Sequence, residues 1–258
     1  MKPNRLKEKL RAGQATFGAW LTMSSPAIAE IMALAGFDFV VVDTEHAAID
    51  VESVQILIQA MSGTGVTPIV RLPGSQRSAV TNILDTGPQG VIFPLINSRS
   101  EAETAVNVTL FPPKGSRSIG FGRAHGFDAD QHNEYLETAN DSMLLGIQVE
   151  HRDALAQLDD VVTTPGIDLV FVGLKDLSGS LGYKDPKHAE VTQAVEQIAS
   201  AARSAGVALG IRANAPHEIA NYIKQGFRFF HIGSDMSYLV HTCKSSLRDA
   251  KRAAAEVL

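Results

Sequence analysis

The sequence predicts a closed (β/α)8 barrel, an α/β protein with a single TIM-barrel domain over residues 1–258. Three observations predict it. Short apolar runs alternate with amphipathic segments from one end of the chain to the other. Strands alternating with helices imply a parallel sheet with crossover helices, and eight such units in 258 residues fit one barrel. The ionisable residues also gather at one end of the proposed strands, where barrel enzymes carry their chemistry. An open, doubly wound sheet is the alternative, but no GxGxxG or GxxxxGK[ST] loop follows the early strands.

In chain order, a charged helix over 2–11 ends at Gly13. Strands are expected over 17–21, 37–43, 68–71, 90–94, 144–150, 169–173, 208–212 and 229–233, each an apolar run of strand length bounded by turn residues. Helices are expected over 26–35, 51–61, 77–86, 99–110, 152–162, 190–205, 216–225 and 236–257. Ser25 before Pro26, and Asp50 before Val51, stand where N-caps belong. Gly36, Gly87, Gly206 and Gly226 stand where helix C-caps belong. The longest connection, 111–141, carries prolines, glycines and basic residues, and its length points to a role at the mouth of the site.

Composition narrows the function. With 45% hydrophobic and 20% charged residues, the chain reads as an ordinary globular protein. Net charge is −5 and the basic residues are scattered, which argues against a nucleic-acid surface. The single cysteine, Cys243, allows no intrachain disulfide and reads as a structural thiol in a helix. No signal-peptide core opens the chain and no apolar run approaches the ~18 residues of a membrane span. A cytoplasmic protein is expected.

The segment Leu144–Glu150, LLGIQVE, is the centre of the functional reading. Strand alternation puts Gly146, Gln148 and Glu150 on one face, opposite Ile147 and Val149. A carboxylate ending an apolar strand is costly to bury alone, and the next strand runs into Lys175 and Asp176. Asp43, Glu45 and His46 end the second strand, Arg71 ends the third, and Trp20 lies on the first. Each has a plain structural explanation: Asp176 as a helix cap, Glu150 paired with Arg152, Arg71 with Asp43 or Asp85, His46 in a satisfied loop, Trp20 in the core. Those explanations must all hold at the same end of the barrel. Glu150 and Asp176 are hard oxygen donors, and two carboxylates leave room for substrate on a divalent ion, Mg2+ first, with Mn2+ or Co2+ possible. A 2-oxo acid can chelate such an ion. The backbone N–H groups opening the short helix after Gly173 would then seat a carboxylate.

At these residues the chain resembles the HpcH/HpaI aldolase family of metal-dependent pyruvate aldolases. The resemblance runs through FGAW (17–20), AGFDFVVVDTEHAAID (35–50), VRLP (70–73), ILDTGPQGVIFPLINS (83–98), FPPKGSRSIG (111–120), LLGIQVE (144–150), GIDLVFVGLKDLSGSLGY (166–183) and GFRFFHIGSDMSYL (226–239). It implies Glu150 and Asp176 as metal ligands and Gln148 as a contact to the pyruvate unit, whose carboxylate the backbone at Lys175 and Asp176 would hold. It implies Arg71 as stabiliser of the enolate oxygen and His46 as the acid–base residue, with Asp85 hydrogen-bonded to it. Asp43 and Glu45 become supporting partners and Trp20 a wall. The partners implied are a 2-oxo acid and an aldehyde. A homo-oligomer is also implied, trimer or hexamer, with the last helix swapped onto a neighbour.

The sequence departs from the family pattern at Lys175, where a small residue is common, at Pro88, and at Arg212 and His231, where apolar or small residues are common. Altered specificity is the expectation. Three other activities stand against the metal-dependent aldolase: a Schiff-base aldolase using Lys175, a citrate-lyase-like acyl-CoA lyase, and a non-catalytic 2-oxo-acid binder.

Overall fold

The computed structural model describes residues 4–120, 122–128, 130 and 132–256. The chain opens with α1 (Arg5–Arg11), capped by the Asn4 side chain, which accepts from the Lys7 N–H; the predicted start of this helix at Lys2 lies outside the described residues. The strand–helix alternation then runs β1 (Thr16–Leu21), α2 (Pro26–Leu34), β2 (Phe39–Asp43), α3 (Val51–Ala60), β3 (Thr67–Arg71), α4 (Arg77–Asp85), β4 (Gly90–Phe93) and α5 (Arg99–Thr109). After a 3-10 turn (Arg123–His125) come α6 (His132–Ser142), β5 (Leu144–Val149), α7 (Arg152–Leu155), α8 (Leu158–Val162), β6 (Leu169–Val172) and α9 (Leu174–Ser180). The chain ends with α10 (Ala189–Ser204), β7 (Ala208–Arg212), α11 (Pro216–Lys224), β8 (Phe229–Ser234) and α12 (Asp235–Ala255). Every neighbouring strand pair is parallel, β8 returns to β1, and the sheet closes as a barrel in sequence order. This is the predicted (β/α)8 architecture.

Side-chain parity splits the core in two. Phe39, Val41, Ile69, Ile92, Leu144, Leu169, Phe171 and Phe229 fill the interior, with Leu6 and Leu10 of α1 packed beneath them. The alternate residues, among them Val40, Val42, Val70, Val91, Leu145, Ile147, Val170 and Ile211, pack outward against the helices. The strands are therefore apolar on both faces along most of their length, as a sheet covered on both sides requires.

Several local expectations hold. Asp50 caps α3, accepting from the Ser53 N–H at 2.8 Å. Gly36, Gly87, Gly206 and Gly226 all take positive φ just past helix ends. Ser25 occupies the N-cap position of α2 but makes no side-chain cap bond. The helix expected over 152–162 is two: Gln157 leaves helical geometry at φ −123, ψ 22, and a second helix restarts with Asp159 and Asp160 in its first turn. The restart lets Leu158, Val161 and Val162 all turn inward.

The 111–141 connection is also placed differently from expectation. It joins the C-terminal end of α5 to the N-terminal end of β5, both at the floor of the barrel, and contains α6. Arg117 from it pairs with Asp85, and Arg123 donates to the Thr86 carbonyl at 2.8 Å, so it lies outside α4 and toward the floor rather than at the mouth. Cys243 is on a helix, as expected, but exposed rather than packed. Among the described residues, no helix is long and apolar enough to cross a membrane. The expected end of the last helix at Val257 lies outside the described residues.

Candidate active site

The interior parity that fills the barrel with apolar side chains continues upward into polar ones. Two residues beyond Val41 and Ile69 on the same face stand Asp43 and Arg71, which are register partners across β2 and β3. Two and four beyond Gly146 stand Gln148 and Glu150. Trp20, Arg212 and His231 complete the upper ring from β1, β7 and β8, Arg212 and His231 being register partners. These side chains, apart from Asp43 and Glu150, line a cavity of about 470 Å³ at the mouth, together with Lys175 and Asp176.

Arg71 is the hub. It grips Asp43 with two prongs, Nε to Oδ1 at 3.0 Å and Nη2 to Oδ2 at 2.6 Å. Its Nη1 lies 3.1 Å from Glu45 Oε2 and 3.5 Å from Gln148 Oε1. The guanidinium is also 5.9 Å from the Trp20 ring centre. Asp43 is buried, and its Oδ1 also accepts the N–H groups of Glu45 and His46, which fixes the loop after β2. Burial pushes the Glu45 carboxyl above its ordinary value, and the charges of Arg71 and His46 oppose that.

Glu150 follows β5 directly and is 4% exposed. Its Oε1 accepts the Leu95 N–H at 2.8 Å and its Oε2 accepts from Gln148 Nε2 at 2.6 Å. Burial raises its pKa above the ordinary carboxylate value despite these bonds, and the Asp176 charge raises it further. A Cβ at Gly173 would come within 2.2 Å of Glu150 Oε2, so glycine is required there for the carboxylate to lie against the start of α9. Leu95, which sequence reasoning missed, supports Glu150 through its backbone alone: it takes φ 53 with its side chain exposed, a left-handed geometry rare for leucine, and thereby aims its N–H at Glu150. Nothing in a leucine signals that role.

Asp176 is exposed, and among the described residues makes no hydrogen bond or ion pair through its carboxylate. A buried carboxylate with a raised pKa, sharing its space with a second, unpaired one, is a setting that a divalent cation relieves. The donor chemistry of Glu150 and Asp176 therefore fits a hard, oxygen-preferring ion. No cluster of three or more His, Cys, Asp or Glu suited to a metal occurs among the described residues.

Trp20 is buried and stacks on His231, ring centres 4.0 Å apart, with Phe171 5.3 Å away on its other contact. Burial, then the Arg212 and Arg71 charges, push the His231 imidazole down to about 3, so it is neutral near pH 7, with Nε2 3.0 Å from the Gly233 carbonyl.

Two predicted residues stand outside this group of bonded side chains. His46 is at the mouth, but its side chain is 66% exposed and its nearest acidic group is Glu45, 3.8 Å away. Asp85 is a clearer correction. The helix after a parallel strand runs back to the floor, so Asp85, last residue of α4, is at the opposite end from His46. Its partner within the chain is Arg117, at 2.9 Å.

A (β/α)8 barrel with a buried glutamate, an exposed aspartate and a clamped arginine at the C-terminal ends of its strands has the layout of a barrel enzyme's active site. Comparison with known proteins narrows the class. Residues 16–242 match the HpcH/HpaI aldolase/citrate lyase family, and the chain belongs to it. It is 35% identical over 93% of its length to a hydroxypyruvate/pyruvate aldolase of Pseudomonas aeruginosa, covering 90% of that protein. It is 34% identical over 94% of its length to a 4-hydroxy-2-oxo-heptane-1,7-dioate aldolase of Escherichia coli, covering 93% of that protein. A crystal structure of a family member from Burkholderia cenocepacia superposes with a TM-score of 0.91 at 33% identity, over 96% of this chain and 99% of that one. The chain is thus an enzyme of the aldolase type, a carbon–carbon lyase.

Proposed function

We propose that this enzyme reversibly cleaves a 4-hydroxy-2-oxo acid into pyruvate and an aldehyde, and that it does so with a divalent cation, Mg2+ first, held by Glu150 and Asp176. The observation that carries the reading is the buried Glu150 carboxylate, raised in pKa by burial and by Asp176, and braced by Leu95 and Gln148. When bound, the cation supplies Lewis-acid stabilisation of negative charge on the substrate's keto oxygen.

The chain's own groups do the rest. Breaking the bond between C3 and C4 leaves its electron pair on the pyruvate fragment, delocalised onto the keto oxygen. Arg71, held rigid by Asp43, presents a fixed positive charge toward that oxygen. Gln148 and the uncapped N–H groups opening α9 contact the keto-acid end, and Trp20 walls it. The 4-hydroxyl gives up its proton to His46 as the carbonyl of the aldehyde forms, and addition runs the same path backward.

Asp85 can assist His46 only from a second copy of the chain, since the two are at opposite ends of one barrel. The proposed homo-oligomer, trimer or hexamer, supplies that copy. Its support is α12, on which Met236, Tyr238, Leu239, Val240 and Leu247 are all exposed apolar residues, and of which only Asp235 is buried. We place the enzyme in the cytoplasm as a single catalytic domain over 1–258.

The lysine route is disfavoured because Lys175 is exposed, and a Schiff-base lysine works best desolvated. The test is a panel of aldehydes with pyruvate, with and without EDTA, followed by borohydride trapping. Activity lost in EDTA and restored by Mg2+ or Mn2+ is the expected result. A reduced covalent adduct on Lys175, or turnover only of CoA thioesters, would overturn the reading.

A further inference from the structure

The cavity wall at Trp20 stands on a seam that the backbone ladder leaves irregular. β1 and β8 keep an even register from Thr16 and Phe229 up to Gly18 and His231, and then slip, so that Trp20 pairs with Ser234. β8 spends three residues there where β1 spends two. A bulge of this kind re-aims side chains at a barrel rim. Here Trp20 and His231 lie face to face beside it, ring centres 4.0 Å apart. Gly233, within the bulge, has its carbonyl 3.0 Å from His231 Nε2, and it has no room for a Cβ, which would stand 2.5 Å from the Tyr238 ring of α12.

Asp235 closes the seam above the bulge. It is the first residue of α12 and 4% exposed. Its two oxygens accept the Thr22 N–H at 3.0 and 2.9 Å, and the carboxylate also takes the Thr22 hydroxyl at 2.7 Å and the Met23 N–H at 2.8 Å. Its own helix contributes the Met236 N–H, at 2.8 Å. Thr22 and Met23 form the loop directly after β1, so these bonds run across the seam to the strand that carries the wall. Capping does not explain them. Ser234 already caps α12, its hydroxyl accepting the Ser237 N–H at 3.2 Å in a capping box. An ion pair does not explain them either, since Asp235 makes none among the described residues. Burying a carboxylate is costly, and what results here is a set of charge-assisted bonds of fixed geometry.

We propose that Asp235 is a positioning residue for the pocket: it fastens the loop after β1 to the bulged end of β8, and so holds the Trp20–His231 stack against the mouth cavity. This rests on the aldolase reading for what the pocket binds, and deepens it by naming what holds the wall. The groups assigned to the chemistry stand on other elements, His46 and Arg71 at the ends of β2 and β3, Glu150 after β5 and Asp176 on α9. Loosening the seam therefore weakens the hold on substrate in the ground and transition states alike and leaves the reacting groups in place. Loss of such uniform binding raises KM and spares kcat. Trp20 is the only tryptophan of the chain, so intrinsic fluorescence reads the wall directly, without turnover.

The test is Asp235→Asn, assayed for addition of pyruvate to propanal with Mg2+ present, with Trp20 emission recorded on the same samples. The amide keeps the size of the carboxylate, but one of its two positions donates rather than accepts and faces the loop's N–H groups with a like group. KM for pyruvate should rise roughly 5- to 30-fold, the range for one lost bond to a buried group. The kcat should stay within a few-fold of native, and Trp20 emission should shift to the red. Thr22→Val removes only the hydroxyl bond and leaves the carboxylate in place. It should move KM and emission the same way by less, and it carries the test should Asp235→Asn fail to fold. Ser237→Ala is the control for a weakened start of α12: it removes the hydroxyl that accepts the Ser234 N–H at 2.9 Å and no bond to Asp235, and should leave KM and emission native. Native KM in Asp235→Asn and Thr22→Val, a raised KM with native emission, or equal changes in Ser237→Ala would overturn the assignment of Asp235 and leave the aldolase reading intact. Absence of turnover in every form, native included, would overturn the aldolase reading, and the emission of the variants would still decide the assignment.

Discussion

The two ends of the barrel are built from the same kinds of residue and treat charge in opposite ways. At the floor, α1 plugs the opening and its buried lysine is answered. Lys7 Nζ donates to Asp168 at 2.8 Å and to the Met143 carbonyl at 2.5 Å, and Asn4 ties the carbonyls of Gln89 and Ser142. Asp168 in turn accepts the Leu145 N–H at 3.0 Å. Burial lowers the Lys7 pKa and the Asp168 charge works against that. At the mouth, Glu150 is buried with no cationic side chain bonded to it, and Asp176, Lys175 and Arg212 have no partner through their side chains among the described residues. Charges that find partners within the chain hold the fold. Charges that do not are the ones a ligand completes.

That contrast is breakable, and the largest effect should come from the mouth. His46→Ala should lower turnover by roughly 10²- to 10⁴-fold, the usual contribution of a positioned acid–base group, while Mn2+ binding is retained. Steady-state kinetics and a metal titration on the same preparation check both halves; normal turnover would show that another group moves the proton.

The floor should answer in stability instead. Lys7→Met leaves the half-buried Asp168 without its cation, and leaving a group without its hydrogen-bond partner in this way costs about 1–3 kcal/mol. Denaturant unfolding should show that loss, and kcat/KM measured well below the melting transition should stay within a few-fold of native. A Lys7→Met protein of native stability would undo the distinction between the two ends.

The smallest effect concerns His231, which belongs to the mouth but serves packing there. Its folded pKa is about 3 against an ordinary 6.5. Between those values the unfolded chain takes up a proton that the native chain refuses, so this group's share of stability is present above about 6.5 and is lost as pH falls toward 3. His231→Phe keeps the stack on Trp20 and should flatten that part of the acid limb. Unfolding measured at steps from pH 7 to pH 4 checks it, and an unchanged slope would mean that His231 already titrates normally.

How much of this could be read in the residues differs by element. The strands were legible because they are apolar runs of strand length between turn residues, and Gln148 and Glu150 were legible because strand parity is local. Asp43 and Arg71 could be named as strand-end residues, and their pairing was one of the options the sequence left open. The separation of Asp85 from His46 within one barrel was not legible, because the end of the barrel a helical residue reaches is set by topology over the whole helix, not by neighbours in sequence. The 111–141 segment failed for the same reason: composition marks a long connection but not which rim it serves. Leu95 was invisible, since its contribution to Glu150 is a backbone N–H aimed by an unusual φ. Arg212 was visible as a departure from the family pattern, and its place on the cavity rim needed the fold.

The central claim is that Glu150 and Asp176 hold a cation that makes the pyruvate fragment's carbanion accessible. The most direct measurement is exchange of the pyruvate methyl protons for deuterium, followed by proton NMR in enzyme stripped with EDTA, with and without Mg2+, for the native chain and for Glu150→Gln. Exchange that requires Mg2+ in the native enzyme and is lost in Glu150→Gln is the predicted result. Exchange that persists in EDTA, or that proceeds at the native rate in Glu150→Gln, would contradict it.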